Sequence, residues 1–193
     1  MEEIRSFIAI ELPDKVRQGL SRLVAQLKYR QPNGIKWVDP TGIHLTLKFL
    51  GNITSGRISE ITGAMTEASR EIPPFSLEIK DLGVFPNLNR VQVAWIGVGG
   101  ETDKLVRLQQ RLESNLKILG FPPEKRGFAP HLTLARVRRE ASSQDRQELG
   151  RLIAVTKPDP IGRFTVGTAS LMQSQLSREG AVYTQIGAAL LKK

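Results

Sequence analysis

Two short stretches of this 193-residue chain carry residue types that can transfer protons. The tetrapeptide His-Leu-Thr-Leu occurs at 44–47 and again at 131–134, and its two copies hold both histidines of the sequence. Successive side chains of an extended strand point to opposite faces, so the histidine and threonine of each copy share one face. Each copy therefore presents an imidazole and a hydroxyl about 7 Å apart, with two leucines beneath them.

These side chains suit displacement at a phosphorus atom if the two copies face each other across a cleft. With an ordinary pKa near 6.5, His44 and His131 can serve as a general base and a general acid at neutral pH. The hydroxyls of Thr46 and Thr133 can donate hydrogen bonds to the non-bridging oxygens, and Arg136 adds a forked cation. The residues themselves leave open which histidine is the acid.

Other catalytic chemistries fit the sequence less well. Zinc catalysis usually uses three protein ligands, and the chain has two histidines and no cysteine. A serine nucleophile of the Gly-x-Ser-x-Gly type is absent. A single His-x-Thr is most often an ordinary feature of a strand, so the elements around the two copies must decide.

The predicted elements around the two copies follow the same order. Apolar periodicity predicts helices at about 13–27, 57–70, 102–119 and 143–155, and strands at 6–10, 75–80, 90–98, 163–171 and 182–186. Gly51 is expected to end the first histidine strand, Gly120 to cap the third helix, and 178–180 to form a turn. Each half of the chain then reads strand, helix, histidine strand, helix, strand, with a displacement of 87 residues between the two histidines.

This repeat predicts an internally duplicated α+β fold with two antiparallel sheets, flanking helices and a central cleft. We expect a single domain over 1–193, with lobes at about 4–82 and 90–187 that can exchange strands. By analogy with twofold-symmetric dimers, equivalent strands of duplicated lobes face each other, and ligands commonly bind in such clefts.

Composition limits the partners and the location of the chain. Lysine and arginine outnumber aspartate and glutamate by 28 to 19, for a net charge of +9. A basic surface attracts phosphates, so a polyanion is one expected partner, although many small proteins are basic without a specific reason. No run of about 18 apolar residues and no basic leader is seen, so no membrane association is expected, and the predicted location is the cytoplasm.

The sequence resembles the two-histidine (2H) phosphoesterases. The segments 44–51 and 130–136 are similar to the paired motifs of that family, and most closely to the RNA 2′,3′-cyclic phosphodiesterases, historically called 2′-5′ RNA ligases. The segments 7–13, 36–38, 127–130 and 174–183 are similar to that branch as well.

The resemblance implies hydrolysis of a terminal 2′,3′-cyclic phosphate on RNA to a 2′-phosphomonoester, with no metal or other cofactor. His44 would protonate the departing 3′-oxygen, and His131 would activate water. Thr46 and Thr133 would hold the phosphate oxygens, with help from Arg136. The resemblance also implies reversible joining of 2′-5′ linkages. The basic surplus is expected to draw in RNA mainly through its backbone, and the protein is expected to be a monomer.

Two other functions remain compatible with the sequence: a cyclic phosphodiesterase acting on small nucleotides, and a non-catalytic module that binds RNA ends. Among the neighbouring residues, Phe49, Leu50 and Phe128 are expected in the core. For Trp37 and Tyr183, packing is favoured over stacking on a nucleobase.

Overall fold

The computed structural model describes residues 3–30, 32–176 and 181–192. The strands among them are β1 (Glu3–Ile10), β2 (Ile35–Trp37), β3 (Leu45–Thr54), β4 (Phe75–Phe85), β5 (Val93–Gly100), β6 (His131–Val137), β7 (Gly162–Val166), β8 (Thr168–Leu176) and β9 (Ala181–Leu190). The helices are α1 (Asp14–Tyr29), α2 (Ile58–Ser69), α3 (Thr102–Ile118) and α4 (Ser143–Val155). The turn predicted at 178–180 lies outside the described residues.

The helices form where apolar residues recur at helical spacing and polar residues mark the ends. The apolar residues at helical spacing in α1 are all buried: Val16, Leu20, Leu23, Val24 and Leu27. At the start of α4, the Ser142 hydroxyl accepts a hydrogen bond from the amide of Asp145, and the Asp145 carboxylate accepts one from the amide of Ser142. This reciprocal pair is a capping box. After α3, Gly120 adopts a left-handed φ of 87°, as predicted for its cap.

Two antiparallel sheets organise the molecule, so the predicted α+β class is confirmed. The first sheet has the strand order β3-β1-β8-β9, and the second has the order β2-β6-β5-β4-β7. Each sheet takes strands from both halves of the chain. The lobe boundaries at about 4–82 and 90–187 stay a prediction, because each sheet mixes strands of the two halves.

The strand predicted at 163–171 is wrong as a single element. It is two strands, β7 and β8, and they belong to different sheets. Gly167 lies between them. Before it, β7 pairs with β4 of the second sheet, and after it, β8 pairs with β1 of the first sheet. Periodicity does not reveal this change, because both strands continue the same extended pattern.

The larger of two apolar clusters fills the space between the sheets and the helices. In the first sheet α2 packs on β8 and β9 and also on α3, while in the second sheet α1 contacts β7 and α4 contacts β4. The four leucines of the two tetrapeptides belong to this core: Leu45, Leu47, Leu132 and Leu134. The alternation predicted for the tetrapeptides is thus observed, and their other face is free to line a cavity.

Both histidine strands carry a β-bulge at the same position of the repeat. In β3, Thr46 pairs with Ala9 and Lys48 pairs with Ile8, so Leu47 is the extra residue. In β6, Thr133 pairs with Trp95 and Ala135 with Ala94, so the extra residue there is Leu134. A bulge of this kind shifts the alternation of side chains by one residue.

A second irregularity in β3 corrects the prediction that Gly51 ends the strand. Gly51 pairs with Ser6 at a second register shift, and β3 continues from there to Thr54. The φ of Gly51 is 73°, in the left-handed region that favours glycine. The glycine therefore marks a bulge within the strand.

Among the described helices, none combines the length and apolar character needed to cross a membrane.

Candidate active site

One cavity of about 590 Å³ is lined by residues from both sheets. All five side chains singled out in the sequence lie in its wall: His44, Thr46, His131, Thr133 and Arg136. The first two belong to β3 or the residue before it, and the other three to β6. The volume falls within the range of about 300–1,000 Å³ that is usual for ligand pockets.

The bulge in β6 accounts for the position of Arg136. In a regular strand, Arg136 would point away from His131 and Thr133, because it is an odd number of residues from each. The extra residue Leu134 restores the shared face, so that Ala135 is buried while Arg136 lines the cavity. The cation reaches the same space as the imidazole because the strand is irregular.

The equivalent bulge in β3 has a different result. The residue that corresponds to Ala135 is Lys48, which the bulge turns into the interior, where its side chain is 1% exposed. Its ammonium group donates to the Glu113 carboxylate at 2.7 Å and to the carbonyl of Pro122 at 2.9 Å. The residue that corresponds to Arg136 is Phe49, which lines the cavity and is 61% exposed. The expectation that Phe49 belongs to the core is therefore wrong.

Both imidazole rings are held by a carbonyl two residues earlier in the chain. Nδ1 of His44 lies 2.8 Å from the carbonyl oxygen of Gly42, and Nδ1 of His131 lies 2.7 Å from that of Ala129. A carbonyl only accepts hydrogen bonds, so each Nδ1 carries the proton. Nε2 is then the atom that can take up or release a proton, because the partner of one ring nitrogen fixes the state of the other.

Aromatic rings enclose His44. Phe7 stacks on the imidazole with 4.5 Å between ring centroids and 27° between planes. Tyr183 meets it edge-on at 4.9 Å and 79°. This burial lowers the pKa of His44, although its hydrogen bond to Gly42 and the negative charge of Glu11 act in the opposite direction. His44 is therefore more readily neutral than an ordinary histidine.

The ring contacts of His131 are looser. Phe85 meets it edge-on with 5.0 Å between centroids, and Trp95 is tilted at 6.2 Å. These aromatic neighbours of both histidines were not identified from the sequence, except for Tyr183. They come from β1, β4, β5 and β9, and no local pattern links those strands to the histidine motifs.

The cavity wall is basic. Arg5 and Arg136 line it, and neither aspartate nor glutamate is among the described residues of its wall. Such a wall attracts an anion, and the enclosed space weakens solvent screening. In the described part of the chain, no group of three or more histidine, aspartate or glutamate side chains is arranged to hold a metal ion.

Three further hollows adjoin this cavity through shared wall residues. The tryptophan hollow, of about 590 Å³, includes Trp37 and shares Gly42, Arg136 and Tyr183 with the cavity. The phenylalanine hollow, of about 620 Å³, shares Phe49 and Gly51. The arginine hollow, of about 750 Å³, shares Arg136 and adds three arginines: Arg90, Arg139 and Arg146. The site is therefore bordered by three further hollows.

The chain matches a known protein family twice. A model of the family described as LigT like phosphoesterase matches residues 10–95 and again residues 96–183. Because each match covers one half, the predicted internal duplication is confirmed.

Relatives of similar length carry one name. An RNA 2′,3′-cyclic phosphodiesterase of Methanothermobacter thermautotrophicus is 33% identical over 184 residues, which is 95% of this chain and 97% of that protein. A protein of the same name from Aquifex aeolicus is 30% identical over 187 residues, or 96% of each chain.

Solved structures share the fold over the whole chain. A phosphoesterase crystal structure matches with a TM-score of 0.79 and 25% identity, and covers 100% of both chains. The crystal structure of E. coli LigT complexed with 3′-AMP also has a TM-score of 0.79 and covers 100% of both chains, at 24% identity. At that identity, the likeness to LigT shows the fold alone.

Proposed function

The chain belongs to the LigT-like phosphoesterase family, and we propose that it hydrolyses the 2′,3′-cyclic phosphate at the end of an RNA to a 2′-phosphomonoester. The observation that carries this proposal is the shared cavity, in which two histidines with Nδ1 fixed by carbonyls meet two threonine hydroxyls and an arginine. The relatives named RNA 2′,3′-cyclic phosphodiesterase support the substrate class.

The two Nε2 atoms divide the proton transfers between them. His131 takes a proton from water, and the resulting nucleophile attacks phosphorus. His44 gives a proton to the 3′-oxygen as the bond between phosphorus and that oxygen breaks. Attack and departure are in line, which requires one group on each side of phosphorus, and proton transfer of this kind typically contributes 10²–10⁴-fold.

The threonines and the arginine bind the atoms that do not react. Thr46 and Thr133 donate their hydroxyl hydrogens to the two non-bridging oxygens, since each shares a face with its histidine. Arg136 offers two parallel N–H groups to the charge that builds up on those oxygens. Because these donors are already in place, little reorganisation is needed when the charge develops.

The lowered pKa of His44 places a requirement on its role as the acid. Above that pKa, most molecules of the free protein carry a neutral His44. An anionic phosphate next to the ring favours the imidazolium and so raises its pKa when substrate binds. The binding of substrate thus supplies the protonation state that the departing 3′-oxygen needs.

The RNA that leads to the cyclic end is proposed to cross the arginine hollow. Arg90 and Arg139 are exposed there, whereas Arg146 donates to the carbonyls of Val91 and Arg138. Contacts of this kind hold phosphates without reading bases, so RNA would be bound mainly through its backbone. The expected effect of Arg139→Ala is weaker binding with a salt slope about one unit shallower, while Arg151→Ala on the exposed part of α4 serves as the matched control.

The test of the function is digestion of a short RNA that ends in a 2′,3′-cyclic phosphate, in the presence of EDTA, followed by phosphorus NMR. A 2′-monoester is the expected product. A 3′-monoester would show that the acid and the base are assigned to the wrong sides. Binding without any product would favour a module that binds RNA ends, and a preference for 2′,3′-cyclic AMP over the RNA would favour a small-nucleotide phosphodiesterase. A monomeric state and a cytoplasmic location stay predictions of the sequence.

A further inference from the structure

A carboxylate lies beside the first histidine, just after the end of β1. Ile10 pairs with Leu45 where the ladder between β1 and β3 ends. The next residues along the two chains are Glu11 and His44, so these two lie opposite each other. Ile10 and Leu12 both belong to the apolar core. Because side chains of an extended backbone alternate, Glu11 points to the other face of the sheet, which is the face of the imidazole.

The Glu11 carboxylate is held in place by the two neighbouring strands. Its Oε1 accepts a hydrogen bond from the hydroxyl of Ser170 in β8 at 2.7 Å and another from the side-chain amide of Gln185 in β9 at 3.1 Å. The same amide donates to the Ser170 hydroxyl at 2.8 Å. Ser170 is 1% exposed, so one of the groups that fix the carboxylate is itself buried. A flexible side chain is thereby restricted to one position.

The internal repeat gives this position a different residue in each half. In the second half of the chain, the residue that pairs with His131 is Gly97. Gly97 is therefore the equivalent of Glu11. A Cβ atom at Gly97 would lie 2.9 Å from the carbonyl oxygen of Lys80, so the backbone leaves no room for a side chain. At this position of the repeat, a carboxylate faces His44 and a bare backbone faces His131.

The charged side chains in the described wall of the cavity are cations. Its charged and titratable members are two arginines, one histidine and one tyrosine: Arg5, Arg136, His131 and Tyr183. A lysine and an aspartate line the neighbouring tryptophan hollow: Lys36 and Asp39. Cations in the wall disfavour a second positive charge on the ring. Burial lowers the pKa of His44, whereas its hydrogen bond to Gly42 and the negative charge of Glu11 raise it.

We infer that Glu11 is a positioning residue that keeps His44 supplied with the proton it gives to the departing 3′-oxygen. The inference rests on the proposed function, in which His44 is the acid. Glu11 is not among the described residues of the cavity wall, so it acts through the imidazole and not on the phosphate. Ser170 and Gln185 contribute by holding the carboxylate. The carboxylate belongs to the histidine that must donate, and the repeat omits it at the histidine that must accept.

Titration of the two histidines by NMR tests the inference without depending on turnover. A protein without a histidine tag gives one Hε1 resonance for each of its two histidines, and His131→Gln identifies which belongs to His44. The wild-type protein is compared with Glu11→Gln, which removes the charge and keeps both the shape and an acceptor oxygen for Ser170. Glu148→Gln removes the same charge from the exposed part of α4 and is the matched control.

The expected result is a change at one histidine. In Glu11→Gln, the pKa of His44 should fall below its wild-type value, while the His131 resonance titrates as in the wild-type protein. Ser170→Ala releases the carboxylate and should shift the titration of His44 in the same direction by a smaller amount. Glu11 is exposed, so its effect should shrink when the salt concentration rises from about 0.05 M to about 0.5 M. In Glu148→Gln, both titrations should match the wild type.

The pH profile of hydrolysis measures the catalytic consequence. Above both histidine pKa values, kcat/KM for the cyclic-phosphate RNA is proportional to the protonated fraction of the acid. Glu11→Gln should therefore lower it there by about 2- to 5-fold, in keeping with the strength of exposed charge pairs. On the acidic side, His44 is protonated in both proteins, and kcat/KM should be unchanged. A loss of packing would instead lower kcat/KM by the same factor on both sides.

Other outcomes overturn the inference or separate it from the function it rests on. An unchanged titration of His44 in Glu11→Gln overturns it, and so does an equal change in Glu148→Gln. A lower pKa of His44 with a higher kcat/KM on the acidic side would make His44 the base and overturn the role given to Glu11. If the wild-type protein does not hydrolyse the RNA, the proposed function fails, and a lowered pKa in Glu11→Gln still supports the action of Glu11 on His44. Should Glu11→Gln not fold, an unchanged titration in Ser170→Ala overturns the inference in its place.

Discussion

The two histidine strands have the same backbone irregularity and differ in the side chains that surround the histidine. Both β3 and β6 carry the same tetrapeptide, a carbonyl two residues before the histidine bonded to its Nδ1, and a bulge at the second leucine. The rings around His44 are close enough to lower its pKa, while the corresponding space around His131 is looser. After the bulge, β3 places Phe49 in the cavity, and β6 places Arg136 there.

This comparison separates two requirements of the site. The features that both strands keep are those that aim an imidazole and a hydroxyl into one space. The features that differ are charge, burial and the residue after the bulge, so the two sides of the cavity present different chemical groups. The duplication therefore places the two imidazoles in equivalent positions. An in-line reaction, however, needs an acid on one side of phosphorus and a base on the other.

The largest expected effect comes from removing either imidazole. His44→Ala and His131→Ala should each lower kcat/KM for the cyclic-phosphate RNA by about 10²–10⁴-fold, because each removes one proton transfer. His44→Gln and His131→Gln keep a polar side chain without proton transfer and should be similarly impaired. Near wild-type turnover in either alanine variant would refute the two-histidine mechanism.

The buried Lys48 of β3 has an alanine, Ala135, as its equivalent in β6, so only β3 contains a buried charge whose pairing affects stability. Glu113→Ala leaves the ammonium of Lys48 buried without its carboxylate, so we expect a loss of about 3–5 kcal/mol in the free energy of unfolding. The double variant Lys48→Met with Glu113→Leu should recover most of it, since no buried charge is left unpaired. Urea unfolding measures both, with Glu148→Ala as an exposed control. A loss as large in the double variant would mean that packing, and not charge, dominates.

The cation of β6 should matter less than the imidazoles. Hydrogen bonds to charged groups are worth about 1.5–3 kcal/mol, so Arg136→Ala should lower kcat/KM by roughly 10- to 150-fold. Arg136→Lys keeps the charge but loses the forked guanidinium, so its kcat/KM should lie between those of the wild-type protein and Arg136→Ala. Steady-state kinetics on the cyclic-phosphate RNA checks the order, and an equal loss for lysine and alanine would assign the effect to geometry alone.

The smallest effect tests the unlike environments of the histidines. Tyr183→Ser opens the surroundings of His44, so its pKa should rise toward the ordinary value. If His44 is the acid, kcat/KM well above both histidine pKa values is proportional to its protonated fraction. The ratio of the alkaline to the acidic rate should then increase in the variant.

The opposite assignment gives a result on the other side of the pH profile. If His44 were the base, a higher pKa would leave a smaller neutral fraction at low pH, and the acidic rate would fall. The same ratio increases in that case too, so the two limbs must be measured separately against Tyr29→Ala, a control that removes an exposed ring at the end of α1. A higher kcat/KM on the alkaline side of the profile identifies His44 as the acid. A lower kcat/KM on the acidic side identifies it as the base.

The sequence predicted the features that depend on local periodicity. The helices, the cap at Gly120, the buried leucines and the duplicated α+β class all follow from spacing. The position of Arg136 in the cavity could be named only from chemistry and resemblance, because regular alternation would have turned it away. A bulge is set by pairing with a neighbouring strand, and periodicity within one strand does not contain that information.

The same reasoning explains the expectations that were wrong. Phe49 was expected in the core, because regular alternation from His44 would have placed it on the face of the leucines, and the bulge at Leu47 instead exposes it. The strand predicted at 163–171 continues one pattern through Gly167, and only the tertiary arrangement shows that its two parts enter different sheets. Phe7 and Phe85, which contact the imidazoles, come from distant strands, and no local pattern linked them to the histidine motifs.

The mixing of strands between the sheets also means that the two halves of this protein cannot be used apart. A cut in the loop at 86–92 would leave β1, β2, β3 and β4 on one fragment and the remaining strands on the other. Every wall of the cavity would then need both fragments. Restored turnover on mixing them would report complementation, so the chain is a natural scaffold for a split enzyme.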